Sequence, residues 1–504
     1  MKYGFVIDQD RCIGCHACTV ACKEEHQVPV GVFRTWVKYV EKGVFPYASR
    51  HFGVMRCNHC DDSPCTEICP TSALYHRSDG IVDFDNRRCI GCKACMQACP
   101  YDALYIDPNS NTAAKCNFCA HRVELNLAPA CVIVCPTQAI LAGDLENPAS
   151  KVSRTVASQK VSVRKPHKGT QPKLFYVGIE GDVIEPNRLA REDGHLWSDR
   201  RDPPVSSAPV DLAGALAREV YDVHHPAPWG WKIAAYLWTK SLAAGPLLVA
   251  AALLSLTGTG NPTLFNLACP AIALIGLAVT SALLVFDLKR PDRFYYLLTK
   301  PNFRSWLVLG SYILIVYGGL AAAWLLYGIS ASAPPAILRW LAALFAAGSA
   351  CYSAFLFAQA KGRDLWQSPV FLWHLLAQAL VAGSAIIWIG GYLLGAFAGA
   401  LRLTLLALFF SLSLSLAVII GELTLPHVSE DARKATNVLL TGDLRLRFWG
   451  LVIGAGLVAP IVLVALAIMY KLSGFPLAAA ILALAGLWWF EEVWVKAGQS
   501  VPLS

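Results

Sequence analysis

Sixteen cysteines fall in four groups of four before residue 136, and no other feature constrains the fold of this chain as tightly. The first group is Cys12, Cys15, Cys18 and Cys22, spaced C-x2-C-x2-C-x3-C. The second is Cys57, Cys60, Cys65 and Cys69. The third, Cys89, Cys92, Cys95 and Cys99, repeats the spacing of the first, and the fourth is Cys116, Cys119, Cys131 and Cys135. The flanks repeat as well. FVIDQDRCIGCHAC near the start returns as IVDFDNRRCIGCKAC at residues 81–95, and Cys69, Cys99 and Cys135 each precede a proline. Such self-similarity marks a duplicated unit. Each copy reads as a short apolar strand, a ligand loop, and a helical turn starting near the Cys-Pro.

The string CIGCH is also an attachment pattern for c-type haem. His16 of that string becomes Lys93 in the second copy while every cysteine is kept. A haem needs the histidine as an axial ligand and a cluster does not, so the repeat favours iron–sulfur chemistry and leaves His16 as a polar neighbour of a cluster. Zinc ribbons use paired C-x2-C, but not a third and fourth cysteine at this spacing. The tight loop holds three thiolates on one cluster and sends the fourth to another. Four [4Fe–4S] clusters and no haem are therefore expected. Cys269 and Cys351 lie in apolar segments and read as packing residues. KYGFVIDQDRC, after Met1, has no apolar stretch or cleavage site of a secretory signal. A disulfide framework is accordingly not expected.

With these motifs, residues 1 to about 180 resemble the four-cluster electron-transfer subunit of the DMSO-reductase family of molybdopterin enzymes. The resemblance implies an α+β ferredoxin-like duplicated [4Fe–4S] domain and a molybdopterin catalytic subunit as partner. It also implies crossed ligand sets: Cys12, Cys15 and Cys18 with Cys135; Cys116, Cys119 and Cys131 with Cys22; Cys57, Cys60 and Cys65 with Cys99; Cys89, Cys92 and Cys95 with Cys69.

Composition changes sharply after this domain. Residues 144 to 228 lose the cysteines and gain Pro, Ser, Lys and Arg, and a linker is expected over 181–230. The basic run Lys151, Arg154, Lys160, Arg164, Lys165, Lys168 and Lys173 reads as a solvated connector, or as a strap on anionic lipid. PKLFYVG at 172–178 reads as a strand returning to the cysteine-rich domain. The net charge of +8 sits largely here and in membrane-flanking loops, so no nucleic-acid partner is expected. A spanning helix needs about 20 mostly apolar residues. Eight such segments lie near 233–257, 264–287, 305–328, 337–360, 370–396, 403–424, 449–471 and 476–495, which gives an all-α eight-helix transmembrane bundle over 231–496.

Loop charge orients the bundle. The second loop carries Lys289, Arg290, Arg293, Lys300 and Arg304, the fourth Lys361 and Arg363, and the sixth Arg433, Lys434, Arg445 and Arg447. The first and third loops carry none, and the fifth and seventh about one each, Arg402 and Lys471. A multi-pass protein of the cell inner membrane is expected, with the iron–sulfur domain on the cytoplasmic side.

Of twelve histidines only His374 lies within a span, so paired axial ligands for b-type haem are missing and direct transfer to a quinone is the expected route. WGWKIAAYLWTKSLAAG (229–245), FDLKRPDRFYYLL (286–298), AKGRDLWQSPV (360–370) and GELTLPH (421–427) resemble the polysulfide-reductase-type, NrfD-like, haem-free quinone subunit. The resemblance implies a quinone, ubiquinone or menaquinone, at the membrane surface. Ionisable groups inside spans are costly and functional by default. Lys240, Asp287, His374, Glu422 and Tyr236 are the candidates for quinone contact. Their duller readings are a snorkelling lysine, loop ion pairs for Asp287 and Glu422, and a packing histidine. Glu491 and Glu492 read as interfacial.

The whole reads as a fused electron-transfer and membrane-anchor subunit of an oxidoreductase complex. The catalytic partner is expected to be a sulfite dehydrogenase first, then a formate dehydrogenase or a sulfur-compound or DMSO reductase. The alternatives are a redox-driven proton-translocating module and a passive membrane anchor for a polyferredoxin.

Overall fold

The first apolar run, YGFVID, forms strand β1 (Tyr3–Asp8), and Phe5, Val6 and Ile7 are buried on both its faces. The structure is a computed structural model describing residues 1–43, 46–186, 189–191, 217–258, 260–395, 400–427, 429–470 and 474–504. The chain divides into two compact units, Met1–Pro228 with Pro502–Ser504, and Trp229–Val501.

In the first unit β1 is followed by β2 (Thr35–Lys42), β3 (Ser49–Arg56), β4 (Leu74–His76), β5 (Val82–Phe84), β6 (Leu104–Ile106) and β7 (Ala113–Lys115). Then come β8 (Ile140–Asp144), β9 (Val161–Ser162), β10 (Leu174–Val177), β11 (Ala190–Arg191) and β12 (Arg218–Tyr221). One sheet has the order β8-β1-β10-β9, a second β11-β12-β2-β3, and β4-β5 and β6-β7 are two-stranded. PKLFYVG supplies β10, which pairs in parallel with β1.

Short helices fill the loops: α1 (Ala17–His26), α2 (Pro64–Ile68), α3 (Ala94–Ala98), α4 (Ala120–Val123), α5 (Ala130–Ile133), α6 (Lys151–Ser158) and α7 (Gly181–Ile184). The helical turn of each cysteine group was expected to start near the Cys-Pro. It instead lies before it. Cys69 and Cys99 end α2 and α3 with ψ of 114° and 116°. A residue preceding proline is pushed out of the α region by the ring, so the proline stops the turn.

The basic run after residue 150 is folded rather than a loose connector, although Lys151, Arg154 and Lys160 are exposed. Lys151–Ser158 is helical, capped by Ser150, whose Oγ accepts from the Ser153 N–H at 3.0 Å. Arg164, Lys165 and Lys173 are buried. Arg164 Nη2 donates to the Leu503 carbonyl at 2.9 Å, and Lys173 Nζ to Asp61 and the Gly80 carbonyl at 2.5 and 2.7 Å. Lys173 is tolerated inside because its ammonium is answered in this way, whereas Arg164 Nε has no hydrogen-bond partner among the described residues.

The stretch expected to be linker also carries structure, although residues 192–216 lie outside the described residues. Strand β12 pairs with β2, and the buried Lys38 Nζ stands 2.7 Å from Glu219 and 3.6 Å from Asp222. His225 lies 3.0 Å from Asp102 and 3.8 Å from Asp222. Burial opposes the charge on His225, but hydrogen bonds to Asp102 and Asp222 outweigh it and raise its pKa to about 9. An unfolded histidine titrates near ~6.5. The folded unit therefore keeps a proton that the unfolded chain has released. That stabilisation is complete below about pH 6.5 and is lost as pH rises through about 9. Thermal stability of this unit, followed in the holoprotein by visible absorbance, should fall over that window. His225→Gln should flatten the fall, and an unchanged slope would remove the assignment. A quarter of the His225 side chain is exposed, so salt should weaken the effect.

The second unit begins with α8 (Trp231–Thr257). A π-helical turn, Thr263–Ala268, runs into α9 (Cys269–Asp287), followed by α10 (Tyr296–Thr299), α11 (Trp306–Ile329), α12 (Ala336–Ala358) and α13 (Phe371–Leu393). Then come α14 (Ala400–Thr424), α15 (Glu430–Leu440), the π-helical Arg447–Val458 running into α16 (Ala459–Tyr470), and α17 (Phe475–Ser500). Among the described residues eight helices are long and apolar enough to cross a membrane. Lys471 lies outside the described residues. Helices satisfy their own backbone polar groups, which is what hydrocarbon demands.

Helix α8 packs against α9, α12, α13 and α17. Its crossing with α13 has no room for side chains. A Cβ on Gly245 would collide with the Ala379 carbonyl and Gly383, and one on Gly383 with the Gly245 carbonyl. Small residues at such crossings let two helix backbones touch. Cys269 is fully buried in the core of α8, α9, α11 and α12, and Cys351 packs against it.

Candidate functional site

Four loops in the first unit share one backbone device. The residue before the second cysteine of each group has positive φ: Gly14 at 69°, His59 at 45°, Gly91 at 69° and Phe118 at 62°. Only glycine adopts this conformation without steric penalty, so His59 and Phe118 hold it under constraint. Backbone N–H groups of these turns and of nearby strands point at the sulfurs. Gly91 and Ala113 donate to Cys89 Sγ at 3.4 Å, His59 to Cys57 Sγ at 3.5 Å, and Ala139 to Cys135 Sγ at 3.2 Å. His16 has φ 59° and packs its ring 5.4 Å from Tyr39 and 5.3 Å from Tyr221.

The thiols group in space differently from their order in sequence. Cys12 interacts with Cys135 and Cys15, and Cys18 with Cys12. Cys22 interacts with Cys116, Cys131 and Cys119. Cys60 and Cys65 both face Cys57 and Cys99. Cys92 and Cys95 both face Cys89 and Cys69, and these four line a single cavity. The groups also act electrostatically on one another, through Cys18 with Cys131, Cys116 with Cys57, and Cys65 with Cys95. All sixteen are free thiols. Among the described residues no three His, Cys, Asp or Glu side chains converge to hold a single metal ion.

The surroundings fit anionic metal–thiolate groups. Burial pushes the Cys92 and Cys119 thiols up to about 12, so a bare thiolate is disfavoured there, and a metal bound to sulfur reverses that. Arg56 is fully buried, with Nη1 donating to Cys131 Sγ at 3.1 Å. Among the described residues its Nε and Nη2 have no hydrogen-bond partner. A buried cation needs an anion, and thiolate-bound iron supplies one. His26 Nε2 lies 3.1 Å from Cys119 Sγ.

In the second unit two buried polar clusters form. Lys240 lies nine residues into α8, about 14 Å from its start at 1.5 Å per residue. It is fully buried, so it does not snorkel. Its Nζ donates to Ser353 Oγ at 2.5 Å and lies 4.8 Å from the centre of the Tyr352 ring. Tyr236 donates to the same Ser353 hydroxyl at 3.2 Å, and Asp287, at the end of α9, is in electrostatic range of Tyr236. Glu491 is 1% exposed and faces Lys240 and Gln378, and neither carboxylate oxygen has a hydrogen-bond partner among the described residues.

The second cluster is His374 Nε2 with Glu422 Oε2 at 2.5 Å. The His374 ring stacks 5.3 Å from Phe490, and its Nδ1 and Glu422 Oε1 are unpartnered among the described residues. Glu422 thus pairs with a histidine, where a loop arginine was one expectation. His374 and Gln378 sit one turn apart on α13, and Phe490 precedes Glu491 on α17. The structure therefore unites Lys240 with Tyr236 and His374 with Glu422. No hydrogen bond joins the two pairs directly among the described residues.

The sequence reading missed Glu491, Gln378, Ser353 and Tyr352. The signal for Glu491 was its depth, nine residues from the end of α17, which matches that of Lys240. The interfacial reading holds only for its neighbour. Glu492 pairs with Arg447 at 3.1 Å and with Lys496.

Thiol groups at crossed positions ahead of eight apolar helices define an iron–sulfur electron-transfer protein with its own multi-pass membrane domain. The protein belongs to the family described as "Polysulphide reductase, NrfD", matched over residues 219–502, with 4Fe-4S dicluster domains matched over 11–74 and 49–145. It is 42% identical over 202 residues to the B component of tetrathionate reductase from Salmonella typhimurium, covering 39% of this chain and 80% of that one. It is 42% identical over 187 residues to the B component of polysulfide reductase from Wolinella succinogenes, covering 36% of this chain and 98% of that one. Protein NrfC of Escherichia coli is 41% identical over 189 residues, 37% of this chain and 85% of that one. The protein is an iron–sulfur electron-transfer subunit fused to its membrane subunit, of the kind found in reductase complexes.

Proposed function

We propose that the chain conducts electrons along four [4Fe–4S] clusters between a separate molybdopterin catalytic subunit and the quinone pool. The observation that carries this reading is the crossed grouping of the sixteen thiols, in one chain with a bundle that buries acid–base pairs. The proposed ligand sets are Cys12, Cys15, Cys18 and Cys135; Cys22, Cys116, Cys119 and Cys131; Cys57, Cys60, Cys65 and Cys99; and Cys69, Cys89, Cys92 and Cys95. The electrostatic neighbours Cys18 and Cys131, Cys116 and Cys57, and Cys65 and Cys95 would set the order of the relay.

Oxidation of a quinol to a quinone, the direction a reductase partner needs, releases two electrons and two protons. The clusters would accept the electrons one at a time, and ionisable side chains must accept the protons. Lys240 and His374 would hydrogen-bond the quinol oxygens, with Glu491 and Glu422 behind them as proton acceptors, and with Tyr236 and Asp287 at the edge of the first polar cluster. The membrane would be the cell inner membrane, with the iron–sulfur domain cytoplasmic, on the strength of the arginine- and lysine-rich even-numbered loops. The relatives named for tetrathionate and polysulfide favour a sulfur-compound reductase as the catalytic partner, ahead of the sulfite or formate dehydrogenases first expected. The unpartnered oxygens of Glu491 and Glu422 favour a second reading, in which the bundle also moves protons across the membrane. A passive anchor would need neither buried pair.

The test uses the anaerobically isolated complex in membranes. Added quinol should reduce clusters detectable by EPR, and a reporter fused after Ser504 should score cytoplasmic. Clusters that dithionite reduces but neither ubiquinol nor menaquinol analogues reduce would overturn the quinone link.

A further inference from the structure

Arg56 closes strand β3 and directly precedes Cys57 in the sequence GVMRCNHC, yet it belongs to none of the thiols of its own motif. The guanidinium reaches Cys131 at 3.1 Å, and its charge also acts on Cys116 and Cys18. These three sulfurs come from two of the spatial groups, Cys131 and Cys116 from the set that includes Cys22, and Cys18 from the set that includes Cys135. The guanidinium stacks 4.6 Å from the Phe5 ring, which holds it on strand β1.

Among the described residues nothing else balances it. Arg56 is 0% exposed and makes no ion pair with a carboxylate there, and its Nε and Nη2 have no hydrogen-bond partner. Three other buried cations of this unit are answered differently: Lys38 by Glu219 and Asp222, Lys173 by Asp61, Lys115 by the carbonyls of Val82 and Cys116. Arginine keeps its proton under all ordinary conditions and donates as a rigid planar fork. A fixed positive charge is therefore lodged between two metal–thiolate groups.

We propose that Arg56 is a potential-setting residue, a buried fixed counter-charge that holds the one-electron couples of two adjacent relay centres, those of the Cys22–Cys131 set and the Cys18–Cys135 set, at higher potential than their burial alone would give. The physical basis is simple. The reduced form of each couple carries one more negative charge than the oxidised form, and no bond forms or breaks. Arg56 stabilises the reduced form more, by charge and by its N–H···S hydrogen bond. Net charge, hydrogen bonds to sulfur and exposure are what set such potentials. The effect is largest for the set that includes Cys131, to which the guanidinium bonds. A single charge shared by two centres also lessens the penalty of reducing both at once, which favours passage of successive electrons.

This inference rests on the four-cluster reading above but not on the quinone link, and its test separates the two. Holoprotein carrying Arg56→Gln, with iron content equal to wild type, should be titrated potentiometrically and read by EPR. At a fixed potential the reduced-to-oxidised ratio of one couple should drop at least about tenfold, a shift of about 59 mV for one electron. A second couple should drop less, and the remaining two should hold. Arg56→Lys, which keeps the charge and loses the planar fork, should recover most of the shift. Four unmoved couples in a fully loaded Arg56→Gln protein would overturn the proposal. Wild-type protein with nitrogen-15 only in its arginine side chains gives a second readout that needs no variant. Pulsed EPR of the reduced protein should detect nitrogen-15 coupled to one centre, and its absence would overturn the proposal even if Arg56→Gln fails to assemble. A protein with fewer than four centres would instead refute the cluster reading itself.

Discussion

Cys22→Ala should abolish the same EPR signal as Cys116→Ala, and a different one from Cys12→Ala. In sequence Cys22 stands four residues after Cys18 and ninety-four before Cys116, so a ligand set read along the chain would pair it with Cys12. In space its thiol meets Cys116, Cys131 and Cys119. Each loss should remove one centre, so iron should fall from about sixteen to about twelve atoms per chain. Electron transfer to the catalytic partner should fall to background, because a line of centres has no detour. Cys99→Ala should likewise match Cys57→Ala, and Cys69→Ala should match Cys89→Ala. Loss of the same signal in Cys22→Ala and Cys12→Ala would return the ligand sets to sequence order and take the proposed relay with it.

The cysteine groups and the eight spans were legible in sequence because each rests on local chemistry. Four thiols at fixed spacing imply a loop, and about twenty apolar residues imply a span. What sequence alone did not deliver depends on contacts between distant residues. The basic run at 151–173 reads as solvated because seven cations in so short a stretch usually are. Nothing local revealed that Arg164 would find the Leu503 carbonyl. Arg56 was passed over for the same reason, since its partner Cys131 lies seventy-five residues away. Placement of the helical turns before the Cys-Pro was legible from proline stereochemistry and was misread. Glu491 was misjudged because it stands beside Glu492, and a pair of adjacent acids near a helix end reads as interface. A helix turns about 100° per residue, so neighbours in sequence face different surroundings.

The buried Lys240–Glu491 pair separates a structural role from a chemical one. The two groups act on each other electrostatically with no hydrogen bond between them among the described residues, so removing one should leave the other ionisable group buried without its counter-charge. Lys240→Met and Glu491→Leu should therefore each lower the thermal stability of the complex in detergent. The double variant Lys240→Met with Glu491→Leu leaves neither charge stranded. Replacement of a buried pair by apolar residues of similar volume is often neutral or stabilising, so thermal stability of the complex in detergent should recover. Quinol-coupled turnover should not recover, because the hydrogen bond from Lys240 and the carboxylate behind it are both gone. Reduction of the clusters by dithionite should be normal in all three variants, since no thiol is touched. A single variant that is unstable, with a double variant that is stable and inactive toward quinol, would fix the pair as proton-handling machinery. A stable double variant with full quinol turnover would make Lys240 and Glu491 mere packing. The quinone chemistry would then fall to His374 and Glu422, whose ring nitrogen Nδ1 and carboxylate oxygen Oε1 still lack partners among the described residues.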